Sequence, residues 1–330
     1  MSGALRVSVI VPTHQRRASL ERALRSLTAQ SLEPHEYEII VAVDGSTDGT
    51  RELVAAMARV RSVWQPRGGR ASACNAGLRL ASAPIVVLLD DDMEATPGFL
   101  AAHLAVHDGA PGLGVVGAVP IRTEASSTAV TRYIAGKFNG HLGNLARPGY
   151  VFGLRDFYSG NFSIARDAMA AVGGFDEAFA VYGNEDLDLS LRLRAIGVRL
   201  VFSADAIAYQ HYEKDFAALA RDTREKGRTA VQLARKHPSA TPDLTLSQFD
   251  RGPLARRLAR NTLLAATRWW PRTPDVVVRT MSWLGDRSTP ALHRVYPIAL
   301  DYLYWLGVRS AQASPEPTVP APGSTTAHVQ

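Results

Sequence analysis

From Val7 to Leu89 the apolar positions switch repeatedly between a strand period and a helix period. Val7-Ser-Val-Ile-Val11 is a short apolar run stopped by Pro12, which predicts a first strand. Leu20, Ala23, Leu24 and Leu27 then repeat at helical spacing, predicting a helix over 19–29 with Ser19 as its N-cap. Strand character returns at Tyr37–Val43, Arg61–Trp64 and Ile85–Leu89, with helices expected at Arg51–Val60 and Ala73–Ala81. This alternation implies βαβ units, an α/β fold with a mostly parallel sheet covered by helices on both faces. In such sheets ligands bind outside the carboxyl ends of the strands. Three strands end in polar residues, at Thr13-His14, Asp44 and Asp90-Asp91-Asp92, so chemistry is expected along that edge.

Residues 111–160 are glycine-rich and less clearly patterned, with a strand expected at Leu113–Val119 and a helix at Val130–Phe138. A strand at Asn161–Ala165 and a helix at Asp167–Val172, closed by Gly173-Gly174, follow. The leucines at 187, 189, 191 and 193 fit a strand or a helix. Asn184 at the N-cap, early acids, Arg192 and Arg194 in the last turn, and Gly197 as a stop favour the helix. Strands are expected at Val198–Phe202 and Ile207–Tyr209, a helix at Phe216–Lys236, a linker at Pro238–Asp250, and a helix at Leu254–Trp270. On this last helix Arg256, Arg257, Arg260 and Arg268 share a face, with Leu254, Leu258, Trp269 and Trp270 on the remainder. The pattern divides the chain into an α/β domain over 1–240, a basic helical region over 241–312 and a Pro-, Ser- and Thr-rich tail over 313–330, expected to be disordered.

Composition narrows the class. With 330 residues, 46% hydrophobic and 21% charged, the chain can bury a sizeable core without staples, and a single cysteine, Cys74, allows no internal disulfide. No secretory signal and no run long enough to span a bilayer is visible, so a cytoplasmic protein is expected. The net charge of +6 is unevenly placed: residues 251–310 carry ten Arg, no Lys and three Asp, leaving the rest near neutral. No nucleic-acid motif accompanies that basic region, and nucleic acid is not an expected partner.

Several acids could carry chemistry. Asp90-Asp91-Asp92 is either a solvated acidic turn or, at the end of a buried strand, a site for a hard divalent cation bridging to phosphate. Asp44 either belongs to a turn or reads a nucleotide, while Asp48 suits the cap of the next helix. Glu185-Asp186 opens a helix and either caps it or supplies a general base. His211 is a structural histidine or a metal ligand, and Cys74 reads as a buried inert thiol.

Six segments in order make these acids one pattern: Val7-Ser-Val-Ile-Val-Pro-Thr13, Asp44-Gly-Ser-Thr-Asp-Gly49, Asn75-Ala-Gly77, Leu89-Asp-Asp-Asp92, Gly173-Gly-Phe-Asp-Glu177 and Asn184-Glu-Asp-Leu-Asp188. With them the chain resembles the family 2 glycosyltransferases of GT-A fold, over about Val7 to Pro238. The resemblance implies an inverting, DxD-containing enzyme that moves a sugar from a nucleotide sugar, uridine being the base most expected. It implies donor contacts at Pro12, Thr13, Arg16, Asp44, Asn75, Asp90 and Asp91, and a Mn²⁺ or Mg²⁺ site at Asp92, Asp90 and His211. Asp186 matches the catalytic base, with Glu185 beside it. The family often has Arg where this chain has Cys74, and Arg70 is expected to supply that charge as a further donor contact.

A sugar-phosphate nucleotidyltransferase would share the sheet and acids, but Thr13-His-Gln-Arg-Arg17 has no glycine to cradle phosphates. A non-catalytic nucleotide-sugar binder is a second alternative. The Arg-faced helix, Trp269, Trp270 and the aromatic run Tyr302–Trp305 suggest peripheral contact with an anionic membrane, and with it a lipid-linked or cell-envelope glycan as acceptor.

Overall fold

The computed structural model describes residues 4–110, 112–285 and 292–313. Four strands, β1 (Val7–Thr13), β2 (Tyr37–Asp44), β3 (Val60–Gln65) and β4 (Ile85–Leu89), run parallel in the order β3-β2-β1-β4. Helices α1 (Arg17–Thr28), α2 (Thr50–Ala55) and α3 (Arg70–Leu80) connect them. The second half adds β5 (Met93–Ala95), α4 (Phe99–Gly109), β6 (Leu113–Ala118), α5 (Ala129–Leu145), β7 (Asn161–Ala165), α6 (Arg166–Ala171), α7 (Glu185–Ala195) and β8 (Arg199–Gln210). The complete order is β3-β2-β1-β4-β7-β6-β8-β5, with β7 antiparallel to both neighbours and β5 antiparallel to β8. The sheet is thus mixed, and its antiparallel part lies beside the acids that end β4.

Sequence pattern and structure agree closely where periodicity is strong. Leu20, Ala23, Leu24 and Leu27 are fully buried on α1, and β4 and β7 have the expected limits. Ser19 is not the cap of α1: the helix begins at Arg17, whose N–H donates to Asp48 Oδ2 at 3.0 Å. Asp48 also accepts from Thr50 N at 3.2 Å, so one carboxylate secures the starts of two helices. The two strands expected at 198–209 are one, β8, which pairs with β6 at its start and β5 at its end.

The polar side chain of His103 on α4 is fully buried. Asn161 gives both amide hydrogens to the carbonyls of Ala118 and Ala206, so its Oδ1 accepts from His103 Nε2 at 2.9 Å. Ser163 Oγ lies 2.8 Å from His103 Nδ1. Burial pushes His103 down from an ordinary 6.5 to about 4. Its folded value is depressed, so the stability it contributes is complete above 6.5 and is lost as pH falls through about 4. The loss is at most about 3–4 kcal/mol by the usual 1.4 kcal/mol per unit. Denaturation curves between pH 7 and 4 should show His103→Gln losing less stability on acidification than wild type; equal losses would refute this account.

Past β8, α8 (Phe216–Lys236) leads through two short 3-10 turns to α9 (Leu254–Trp269), α10 (Thr273–Gly285) and α11 (Leu292–Ala313). The expected linker is packed: Ala240 and Leu244 are buried with Leu154, Phe179 and Leu233. Helix α11 lies along α8 at close range, since a side chain at Gly227 or Gly307 would strike the facing carbonyl of Tyr304 or Arg224. Val130 and Tyr133 of α5 share a core with Phe216, Leu264, Tyr296 and Tyr302. The helical region is therefore built onto the sheet domain through α5 and α8. Arg260 leaves the expected arginine face: it is 1% exposed, with its guanidinium 3.8 Å over Phe249 and 3.5 Å from Asp301. Tyr302, Leu303 and Trp305 are also core residues and offer no aromatic surface. No helix among the described residues is long and apolar enough to cross a membrane. The tail expected to be disordered lies, from 314 on, outside the described residues.

Candidate active site

The ends of β1, β2 and β4 open into one cleft of about 1170 Å³, which α7 closes from the other side. Asp92 and Asp186 both line it, together with Pro12, Thr13, Arg16, Asp44, Arg70, Asp90, Asp91 and Glu185.

The pairing of β4 with β7 builds its centre. Leu89 faces Asn161, which sets Ser159-Gly160 beside Asp90, and Asp90 N donates to Gly160 O at 2.9 Å. A side chain at Gly160 would overlap the Asp90 carboxyl, so glycine is the residue that fits. Arg70, in the first turn of α3, holds Asp90 Oδ1 through Nε at 3.1 Å and Nη2 at 2.9 Å. Its Nη1 reaches Ser159 Oγ at 2.9 Å and Asp186 Oδ1 at 3.3 Å, with Glu185 at 4.0 Å. Ser159 Oγ donates to the same Asp186 oxygen. One guanidinium thus bridges the acid ending β4 to the acid opening α7, and these charges raise Arg70 well above its ordinary range despite its burial.

Asp91 turns under β1, where Thr13 Oγ1 donates at 2.7 Å and Arg16 Nη1 at 3.1 Å. Burial outweighs these partners and pushes Asp91 up to about 6. Asp92 takes Arg16 Nη1 at 3.2 Å and Gln210 Nε2 at 3.4 Å. Burial first, then repulsion from Asp90, raises Asp92 as well. Glu185 is 4% exposed and accepts from Gly183 N at 2.8 Å. Burial and the neighbouring Asp186 push it up to about 7. Asp44 accepts from Gln65, Gly68 N and Gly69 N at 2.9, 2.7 and 2.9 Å, so it anchors the turn that delivers Arg70 as well as lining the cleft.

Two of the residues expected at the site lie apart from this centre. Asn75 bonds both backbone groups of Phe175, at 2.9 and 2.8 Å, and ties α3 to the Gly173-Gly174 turn away from the cleft. His211 lines a recess of about 470 Å³ with Asp92, Arg16 and Lys214, but its Nε2 lies 3.0 Å from Glu94. Cys74 is buried at 0% exposed, and burial pushes its thiol up to about 12, as expected of an inert cysteine.

Among the described residues no three His, Cys, Asp or Glu side chains form a complete metal cage. The donor chemistry nevertheless fits a hard divalent cation. Asp92 is a partly exposed carboxylate opposed by Asp90, and such cations are commonly held by one or two carboxylates with substrate phosphates and water filling the remaining positions.

Sequence reasoning missed Ser159 and Tyr182. Ser159 is fully buried against Asp186, and its only local signal is the glycine that follows it. Tyr182, at the cleft mouth, lies between the ammonium groups of Lys214 and Lys226, 4.9 and 5.2 Å from its ring centre.

Comparison with known proteins follows this geometry. A family model described as glycosyl transferase family 2 matches residues 8–172, and one described as the N-terminal domain of galactosyltransferase matches 141–215. Validoxylamine A glucosyltransferase of Streptomyces hygroscopicus subsp. limoneus is 30% identical over 279 residues, covering 74% of this chain and 60% of the relative. Pre-mycofactocin glycosyltransferase of Mycobacterium tuberculosis is 28% identical over 246 residues, covering 73% of this chain and 50% of the relative. The chain therefore spans between half and two thirds of those curated relatives. Among solved structures, a mannosyltransferase from Pyrobaculum calidifontis in complex with GDP-Man and Mn²⁺ superposes with a TM-score of 0.59 at 20% identity, covering 94% of this chain and 88% of that one. S. aureus TarS 1-349 in complex with UDP gives 0.53 at 15% identity, over 94% and 92%. At such identities the likeness speaks for the GT-A fold.

Proposed function

Since the chain belongs to glycosyl transferase family 2, we propose that it moves a sugar from a nucleoside diphosphate sugar, UDP-linked in first expectation, to an acceptor hydroxyl with inversion at the anomeric carbon. The observation that carries this reading is the position of Asp186 across one cleft from Asp90 and Asp92. Its donors among the described residues, Ser159 and Arg70, both reach Oδ1, which leaves Oδ2 for the incoming hydroxyl.

In the proposed step the acceptor oxygen bonds to the anomeric carbon while the bond from that carbon to the diphosphate oxygen breaks, its electron pair leaving with the diphosphate. The hydroxyl proton passes to Asp186 Oδ2. Glu185, which burial and the adjacent Asp186 make harder to ionise, accepts from Gly183 N and fixes the loop there. Such a separation of neighbouring carboxyl groups is how one is kept as the base. Of the cations lining the cleft, Arg16 and Arg70 are assigned to the diphosphate, with Pro12 and Thr13 as the floor beneath the nucleotide and Asp44 flanking it. Mn²⁺ or Mg²⁺ would be held by Asp92 with Asp90, joined by His211 once its Nε2 leaves Glu94, and when bound would offset the charge on the departing diphosphate.

The names of the relatives, a glucosyltransferase and a glycosyltransferase, support the reaction class. The GDP-Man and Mn²⁺ of the Pyrobaculum enzyme support a nucleotide sugar with a divalent metal. The proposed acceptor is a cell-envelope glycan, lipid-linked or free, met at the cytoplasmic face of a membrane.

The test is incubation with labelled UDP-, GDP- and dTDP-sugars and Mn²⁺, with and without glycan acceptors. Release of nucleoside diphosphate with a labelled product of inverted anomeric configuration is the expected result. Pyrophosphate release would replace the reading with nucleotidyl transfer, and binding without turnover would leave a binding module.

A further inference from the structure

Helix α9 is docked by one side only. Its inner face carries Arg260 and Leu264, both buried, and Thr267, whose hydroxyl lies 2.6 Å from that of Tyr302. Positions 254, 258, 261, 265, 268 and 269 recur at helical spacing and are all exposed. Leu254 is 65% exposed, Leu258 58% and Trp269 90%, an amount of apolar surface that water-facing helices seldom leave uncovered. Trp270, 52% exposed, and Pro271 continue the face into the turn before α10, and Val276 is 40% exposed one turn into that helix. Arg268, Arg272 and Arg279 are exposed among these apolar groups, with Asp275 as the acid beside them.

We propose that this face of α9 and the start of α10 lies in the headgroup layer of an anionic bilayer. Indole rings favour the membrane–water boundary, where the ring is partly desolvated and its N–H stays wet. Arginines beside them meet lipid phosphates and keep their stems on the apolar side. An interfacial helix needs no span, which agrees with a chain whose described helices are all unsuited to crossing. A second copy of the chain is a poorer occupant: a two-fold contact through this face would gather Arg268, Arg272 and Arg279 of both copies at one seam with Asp275 beside them. The inference deepens the membrane placement proposed above and does not depend on the sugar chemistry. The residues differ from those the sequence suggested, because Arg260, Tyr302 and Trp305 are spent in the core.

The experiment is co-sedimentation of the full chain with vesicles of phosphatidylcholine alone or with roughly one third phosphatidylglycerol. Strong binding to the anionic vesicles, weak binding to neutral ones and loss in high salt are expected. Trp269→Ser with Trp270→Ser should abolish most binding, and Arg268→Glu or Arg272→Glu should each weaken it about fivefold or more. All four positions are exposed, so circular dichroism and nucleotide-sugar turnover on a soluble acceptor should be unchanged. Equal sedimentation of wild type and variants would overturn the proposal. So would a vesicle-independent dimer that the tryptophan variant dissociates, which would assign the face to self-association. Turnover without vesicle binding would refute this face alone, and vesicle binding without turnover would refute the transferase reading alone.

Discussion

Asp186→Asn is expected to reduce sugar transfer by about 10²–10⁴-fold while the donor binds nearly as well as before. An amide has the size of the carboxyl group but cannot take the acceptor's proton. Its oxygen can still accept from Ser159 and Arg70 on the Oδ1 side, so the local frame should survive. Arg70 keeps Asp90, at 2.9 Å, as its stronger partner. Single-turnover transfer and calorimetric titration with the nucleotide separate the two effects. A variant that turns over near the wild-type rate would remove Asp186 from the role of base. Glu185 would be a poor substitute, being buried and committed to Gly183.

The second large effect belongs to Asp92→Asn. Burial and Asp90 both disfavour charge on Asp92, and a divalent cation would relieve both. Wild type should therefore gain thermal stability from Mn²⁺ with nucleotide, about 2.7 kcal/mol at a hundredfold excess over Kd. Asp92→Asn should lose that gain and at least about 100-fold in activity, since removing even supporting groups around a metal typically costs 10–100-fold. Fluorimetric melting with and without Mn²⁺ reads the first effect independently of turnover. An unchanged Mn²⁺ shift in the variant would show that Asp92 is no ligand.

Much of the site was legible because its signals are local. Asp44 and Asp90–Asp92 end apolar strands, and strand ends in such sheets face the ligand cleft. Glu185-Asp186 opens a helix that its own acids, arginines and following glycine announce. Asn75 was misplaced because its motif lies on a helix whose rotation the sequence leaves open, and its amide serves the Phe175 backbone instead. Ser159 had no local signal beyond the glycine that follows it. Only the antiparallel register of β7 against β4 brings it to Asp186.

The same distinction runs through the helical region. Arg260 and Arg268 are two turns apart on α9 and look alike in the sequence, yet one is sealed over Phe249 and the other is exposed. An amphipathic helix defines two faces, but the ring it finds at Phe249 and the acid at Asp301 decide which face turns inward.

The sequence by itself determined the alternating strands and helices, the cleft edge and the acids upon it, because periods of 2 and 3.6 and strand-terminal charges are properties of neighbouring residues. Tertiary structure alone decided that Arg70 spans Asp90 and Asp186, that His211 turns to Glu94, and which face of α9 is left in water. Those outcomes depend on side chains far apart in the chain competing for the same partners, and that competition is settled only when strand register and helix packing set the distances.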